Sequence, residues 1–87
     1  MNEFDVIAEL TEIFSEIFRR HDLVLLPTTT ASDVEGWDSF RQIEIAVAVE
    51  ERFNIKLRTR DMSQLKNVGE LAALISSKLP PDWKRKA

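Results

Sequence analysis

The chain has 87 residues, 15 acidic and 12 basic for a formal charge of -3, and contains no cysteine. That length supports one domain built on a single shared core, and the mild acidity speaks against nucleic acid as a main partner. Without cysteine there is no disulfide framework, no thiolate nucleophile and no cysteine-based metal site, so any thiol chemistry has to come from a cofactor. No apolar run approaches a membrane span and no charged-then-apolar signal segment opens the chain, which makes the cytoplasm the expected compartment.

Asn2 is placed to cap a first helix that runs to about His21 without a proline or glycine to interrupt it. Val6, Leu10, Ile13, Phe14, Ile17 and Phe18 recur at three- and four-residue spacing and form one apolar stripe for the core. Glu3, Asp5, Glu9, Glu12 and Glu16 precede Arg19, Arg20 and His21, an order that complements the helix dipole. His21 is the sole histidine. With no serine or carboxylate constellation beside it, it reads as a helix-end cation and is assigned no chemistry.

From Asp22 to Asp38 the helical pattern breaks, punctuated by Pro27, three consecutive threonines and Gly36. Connections this long in a small domain tend to be functional. Leu23 to Leu26 are expected to anchor its first part and Val34 its last; a short strand over Leu23 to Leu26 would have no partner of equal quality. Trp37 falls at the N′ position, where it can act as a hydrophobic staple or as a surface contact.

A second helix is expected from Ser39 to about Phe53. Asp38 or Ser39 can cap it, and Ser39 to Gln42 fits the S-x-x-Q capping box. The same place has a second use: a hydroxyl at a helix N-terminus lies beside unpaired backbone N–H groups and the positive end of the dipole, where a phosphate ester is stabilised. The helix carries two apolar stripes. Ile45, Val49 and Phe53 are expected to face the core, while Phe40, Ile43 and Val47 lie on another side, covered by the loop or open to a partner. Glu44, Glu50 and Glu51 flank that second stripe as acids that a basic partner could pair with.

Ile55 and Leu57 alternate inward with Lys56 and Arg58 outward. Thr59 is expected to cap a short helical turn to about Leu65, with Met62 and Leu65 inward. Asn67, followed by Glu70 three residues on, opens a last helix from Val68 to about Leu79, with Val68, Leu71, Ala72 and Ile75 buried, until Pro80 and Pro81 stop it. The domain is thus residues 1–79, and residues 80–87 form a basic tail expected to be mobile rather than to anchor on a membrane.

Long helix, a long loop that ends in Gly36-Trp37-Asp38, a long helix beginning at Ser39-Phe40, a short turn and a last helix: this order resembles the acyl and peptidyl carrier proteins over nearly the whole chain. Phe53-Asn54-Ile55 and Leu65-Lys66-Asn67-Val68 match the family's ending of its second helix and entry to its last. The resemblance implies an all-α, acyl-carrier-protein-like bundle of three main helices plus a short helical turn. It implies 4′-phosphopantetheine from coenzyme A on Ser39, with Asp38 as the motif acid, and acyl or aminoacyl groups carried as thioesters. The family's second helix is the one its partner enzymes read. That implies partner contacts at Trp37, Phe40, Arg41, Ile43, Glu44, Val47 and Glu51, with a phosphopantetheinyl transferase and with loading and transfer enzymes, by a monomer without catalytic or metal-ligating residues.

Phe40 stands where the family usually has leucine, Arg41 replaces a common acid, and Arg58, Arg60 and Lys66 occupy a region that is usually acidic. These departures point to a specialised lipid, polyketide or peptide pathway rather than housekeeping fatty acid synthesis. Two other readings of the residues stand beside this one. One is a helical interaction module with the fold but no arm. The other is a small hydrolase using Ser39, which would need a base and an oxyanion hole that a lone His21 does not supply.

Overall fold

In a computed structural model the chain forms helices α1 (Glu3–Phe18), α2 (Ser39–Phe53), α3 (Thr59–Ser63) and α4 (Val68–Lys78), with a 3₁₀ turn at Ala31–Asp33 in the long connection. The structure describes residues 3–80 and 83, with side chains from residue 5 onward. No strand occurs among the described residues, so the fold is all-α as expected.

The α1 stripe is the spine of the core. Val6, Leu10, Ile13 and Phe14 are buried, Ile17 and Phe18 are half-buried, and α1 packs against both α2 and α4. From α2 come Ile45, Val49 and Phe53, and from α4 Val68, Leu71, Ala72 and Ile75, all buried as their spacing requires. Met62 is the buried residue of α3. Glu9, expected only to complement the helix dipole, is turned inward. Its Oε1 accepts from Arg52 Nη1 of α2 at 2.7 Å, a partly buried tie between the two helices.

Helix α1 stops at Phe18 rather than near His21. Arg19 takes a left-handed conformation with φ 54°, and the Arg20 N–H donates to Ser15 O at 3.1 Å, so the chain closes in a Schellman turn. A charged residue at the turn position, in place of the usual glycine, is why the stop was not legible. Helix α2 ends the same way at Asn54, with φ 56°, and the Ile55 N–H donates to Glu50 O at 3.3 Å. The proposed cap at Asn2 lies outside the described residues.

The long connection is strapped to α4. Thr29 is buried, its Oγ1 accepts from the Leu26 N–H at 2.9 Å, and its carbonyl accepts from the Val68 N–H at 2.8 Å. Pro27 O accepts from the Gly69 N–H, also at 2.8 Å. The loop carbonyls thus satisfy amides that a helix N-terminus leaves without partners, while Asn67 Oδ1 takes the Glu70 N–H at 2.8 Å as the cap. Leu25 and Val34 are the loop's buried anchors and Leu23 is half-buried, whereas Val24 and Leu26, also expected to anchor, are exposed. Alternation along an extended segment puts them on the outer side.

Helix α3 is shorter than expected. Arg58 rather than Thr59 holds the cap position, its N–H donating to Asp61 Oδ2 at 3.4 Å, and the helix ends at Ser63 rather than Leu65. Beyond α4, Trp83 lies on Phe53 with ring centroids 5.0 Å apart. Lys84, Arg85 and Lys86 of the basic tail lie outside the described residues.

Candidate functional site at the start of the second helix

Two events place Ser39. Gly36, with φ +89°, turns the chain so that the Trp37 N–H donates to Val34 O at 3.2 Å, a geometry that glycine adopts without the steric cost other residues would meet. Asp38 then takes the cap position. Its Oδ1 accepts from the Arg41 N–H at 2.9 Å, which makes Ser39 the first helical residue.

The capping box expected between Ser39 and Gln42 does not form, because the Gln42 carboxamide is used elsewhere. Its Oε1 accepts from Trp37 Nε1 at 2.6 Å, and its Nε2 donates to the Met62 carbonyl of α3 at 3.1 Å. An indole N–H only donates and a carbonyl only accepts, so these two partners fix which way the amide points. Trp37 and Gln42 do occupy the two staple positions, joined by a hydrogen bond instead of an apolar contact. The indole itself packs inward, edge-on to Phe14 with centroids 5.1 Å apart.

The consequence for Ser39 is that its side chain is exposed and, among the described residues, makes no hydrogen bond. It stands on the lip shared by two open grooves. One, of about 350 Å³, runs between the long connection, α3 and the start of α4 and is lined by Trp37, Asp38, Leu65, Lys66, Asn67 and Leu71 among others. The second, of about 520 Å³, lies between α2 and α3, where Ile43, Ala46, Val47, Leu57 and Met62 give it an apolar wall. Ser39, Gln42, Met62 and Ser63 line both.

Down the outer side of α2, Phe40, Ile43 and Val47 are 66%, 65% and 48% exposed, so the loop does not cover the second stripe. Arg41 folds back on this surface: its guanidinium pairs with Glu44 and sits 5.7 Å from the Phe40 ring centroid. Glu51 is exposed. Glu50 has an internal task, since its Oε2 accepts from the Leu57 N–H at 3.0 Å and ties the α2–α3 link to α2. His21 is exposed just past α1 and lines neither groove. Beside it, the hydrogen bond from Arg20 holds the Asp22 carboxyl below its ordinary value. Among the described residues no group of histidines and acids could hold a metal ion, and no helix is long and apolar enough to cross a membrane.

An exposed, unbonded serine at a helix N-terminus, flanked by an apolar groove, suits a phosphate-linked flexible group. Residues 8–75 match the family model described as the phosphopantetheine attachment site. This chain belongs to the acyl carrier protein family. It is 31% identical over 71 residues to the meromycolate extension acyl carrier proteins of Mycolicibacterium aurum and Mycolicibacterium smegmatis, spanning 82% of this chain and 73% and 72% of theirs. The solution structure of a holo acyl carrier protein from Geobacter metallireducens superposes with a TM-score of 0.78 at 36% identity, covering 84% of each chain. The carrier therefore bears 4′-phosphopantetheine covalently and holds substrates for other enzymes; it is not itself a catalyst. Members of this family are served by a transferase and by biosynthetic enzymes.

Proposed function

We propose that Ser39 is the residue of this carrier that receives the arm, with Asp38 as the acid that sets it at the head of α2. The observation that carries this reading is the freedom of the Ser39 hydroxyl, which follows from Asp38 taking the cap and Gln42 being held by Trp37 and Met62. In the transfer step Ser39 Oγ forms a bond to the phosphorus that bears the pantetheine of coenzyme A. The bond between the two phosphates breaks, adenosine 3′,5′-bisphosphate leaves, and the hydroxyl proton passes to a base of the transferase. The new phosphodiester sits by the first-turn amides of α2, where the helix end favours negative charge. Once attached, the arm supplies a terminal thiol that holds acyl groups as thioesters.

Phe40, Ile43 and Val47, with Arg41, Glu44 and Glu51 around them, form the surface that partner enzymes read, and Trp37 supports that surface from beneath. The likeness to meromycolate extension carriers, together with Arg41, Arg58, Arg60 and Lys66 close by in sequence, supports a specialised lipid pathway with its own enzymes. The carrier domain spans residues 1–79, followed by the segment 80–87, and works as a monomer in the cytoplasm. Incubation with coenzyme A, magnesium and a broad-specificity transferase should add one phosphopantetheinyl group to the intact mass. An equal gain in Ser39→Ala would overturn the assignment.

A further inference from the structure

The sequence offers two N-caps for α2, one residue apart. In the one observed, Asp38 Oδ1 accepts from the Arg41 N–H at 2.9 Å, and the Gln42 N–H donates to Asp38 O, also at 2.9 Å. In the other, Ser39 is the cap of an S-x-x-Q box: its Oγ accepts from the Gln42 N–H, and Gln42 Oε1 accepts from the Ser39 N–H. Two local hydrogen bonds stand against two, so the chemistry of this short stretch leaves the registers nearly balanced. What separates them is the Gln42 carboxamide, which takes the Trp37 indole N–H at 2.6 Å and donates to Met62 O at 3.1 Å. Both partners are held from elsewhere in the fold. The indole is seated edge-on against Phe14 of α1, and Met62 is the buried residue of α3.

We propose that Trp37 and Gln42 are positioning residues for the transfer step: by engaging each other they withhold the carboxamide from the serine cap, fix α2 in the register that begins at Ser39, and keep that hydroxyl open to the transferase. The inference rests on the attachment at Ser39 proposed above. In the alternative register Ser39 leaves the helix for the extended backbone of a cap, and one lone pair of its Oγ is engaged by the Gln42 amide. A transferase that binds only the open form then meets a smaller competent fraction, and its apparent KM for the carrier rises as that fraction falls.

The test compares two double variants of the full chain that lose the same tertiary link and differ in whether residue 42 can close the box. Trp37→Phe with Gln42→Glu removes the indole donor and the amide that bonds Met62, and leaves a carboxylate, which closes a capping box as glutamine does. Trp37→Phe with Gln42→Ala removes the same bonds and leaves no acceptor. The first readout is the Cα and Cβ chemical shifts of Ser39 in the isotope-labelled apo protein: helical in wild type and in the alanine pair, extended in the glutamate pair. The second is modification by a broad-specificity transferase with coenzyme A and magnesium, followed by intact mass. KM for the carrier is about fivefold higher in the glutamate pair than in the alanine pair, the population factor of one hydrogen bond, with kcat unchanged. Gln42→Glu alone, which keeps an acceptor for Trp37 but sets a carboxylate oxygen against the Met62 carbonyl, shifts Ser39 the same way by less and serves if the double variant does not fold. Helical shifts at Ser39 in the glutamate variants overturn the proposal whatever KM does, since a rise would then come from the new charge. An equal rise in KM in both pairs overturns it as well, by assigning the effect to the lost indole. A mass gain that persists in Ser39→Ala overturns the attachment reading and the role in transfer with it, while the shifts at Ser39 still report which cap is held.

Discussion

The Gly69 N–H donates to Pro27 O at 2.8 Å, and a Cβ built at Gly69 would stand 2.8 Å from the same oxygen. The long connection can therefore lie on α4 only because position 69 has no side chain. In an exposed helix, alanine would be favoured over glycine by about 1 kcal/mol. Here the contact is with backbone that is also tied through Thr29 O to the Val68 N–H, so the clash outweighs propensity. Gly69→Ala is expected to destabilise by about 1–3 kcal/mol, the usual scale of overpacking, measured by denaturant unfolding; a more stable variant would mean the strap gives way freely.

The Arg52–Glu9 tie makes a second prediction. Arg52→Ala leaves the carboxylate of Glu9, with its side chain only 11% exposed, without this charged partner. Hydrogen bonds to charged groups contribute about 1.5–3 kcal/mol, so the variant should lose about 2 kcal/mol. Because the pair is partly buried, salt should screen little of it. A loss that vanishes in moderate salt would place the pair on the surface.

The two faces of α2 should separate cleanly in a melt. Phe53 is 1% exposed and stacks with Trp83, so Phe53→Ala should cost about 3–5 kcal/mol. Val47, about half exposed, should change stability by no more than about 0.5 kcal/mol on truncation to alanine, yet slow transfer by a partner enzyme. Equal damage to the fold by both would mean the faces are reversed.

Charge should govern partner choice. Arg41 pairs with Glu44 beside Ser39, and Arg58 lines the α2–α3 groove. An enzyme built for a uniformly acidic carrier would bring cations toward these arginines, and like charges at an interface cost affinity and slow association. Loading or elongation by a housekeeping fatty acid synthase should be slow for wild type and faster for Arg41→Asp with Arg58→Glu. Rates already high in wild type, or unmoved in the double variant, would count against this role.

The helices and their buried faces were legible because they are encoded locally. Val6 to Phe18 on α1, Ile45, Val49 and Phe53 on α2, and Val68 to Ile75 on α4 declare themselves by spacing. Side chains with distant partners did not. Gln42 fits a capping box by sequence, and only the fold brings an indole and the Met62 carbonyl, 20 residues away, within its reach. Glu9 looked like a dipole acid until α2 placed Arg52 against it, and Glu50 like a surface acid until the Leu57 N–H turned toward it. A tryptophan just ahead of the cap with a glutamine five residues on was the one signal that could have exposed the Trp37–Gln42 link.

The central claim concerns one oxygen atom, and fragmentation mass spectrometry of the holo protein tests it most directly. Five serines besides Ser39 occur in the chain, at 15, 32, 63, 76 and 77, and Ser63 lines both grooves as Ser39 does. The Ser63 hydroxyl already donates to Arg60 O at 2.9 Å, whereas that of Ser39 is unbonded among the described residues. The account predicts that the phosphopantetheinyl group is found on the peptide containing Ser39 and on no other. Its recovery on the peptide containing Ser63 would contradict the account.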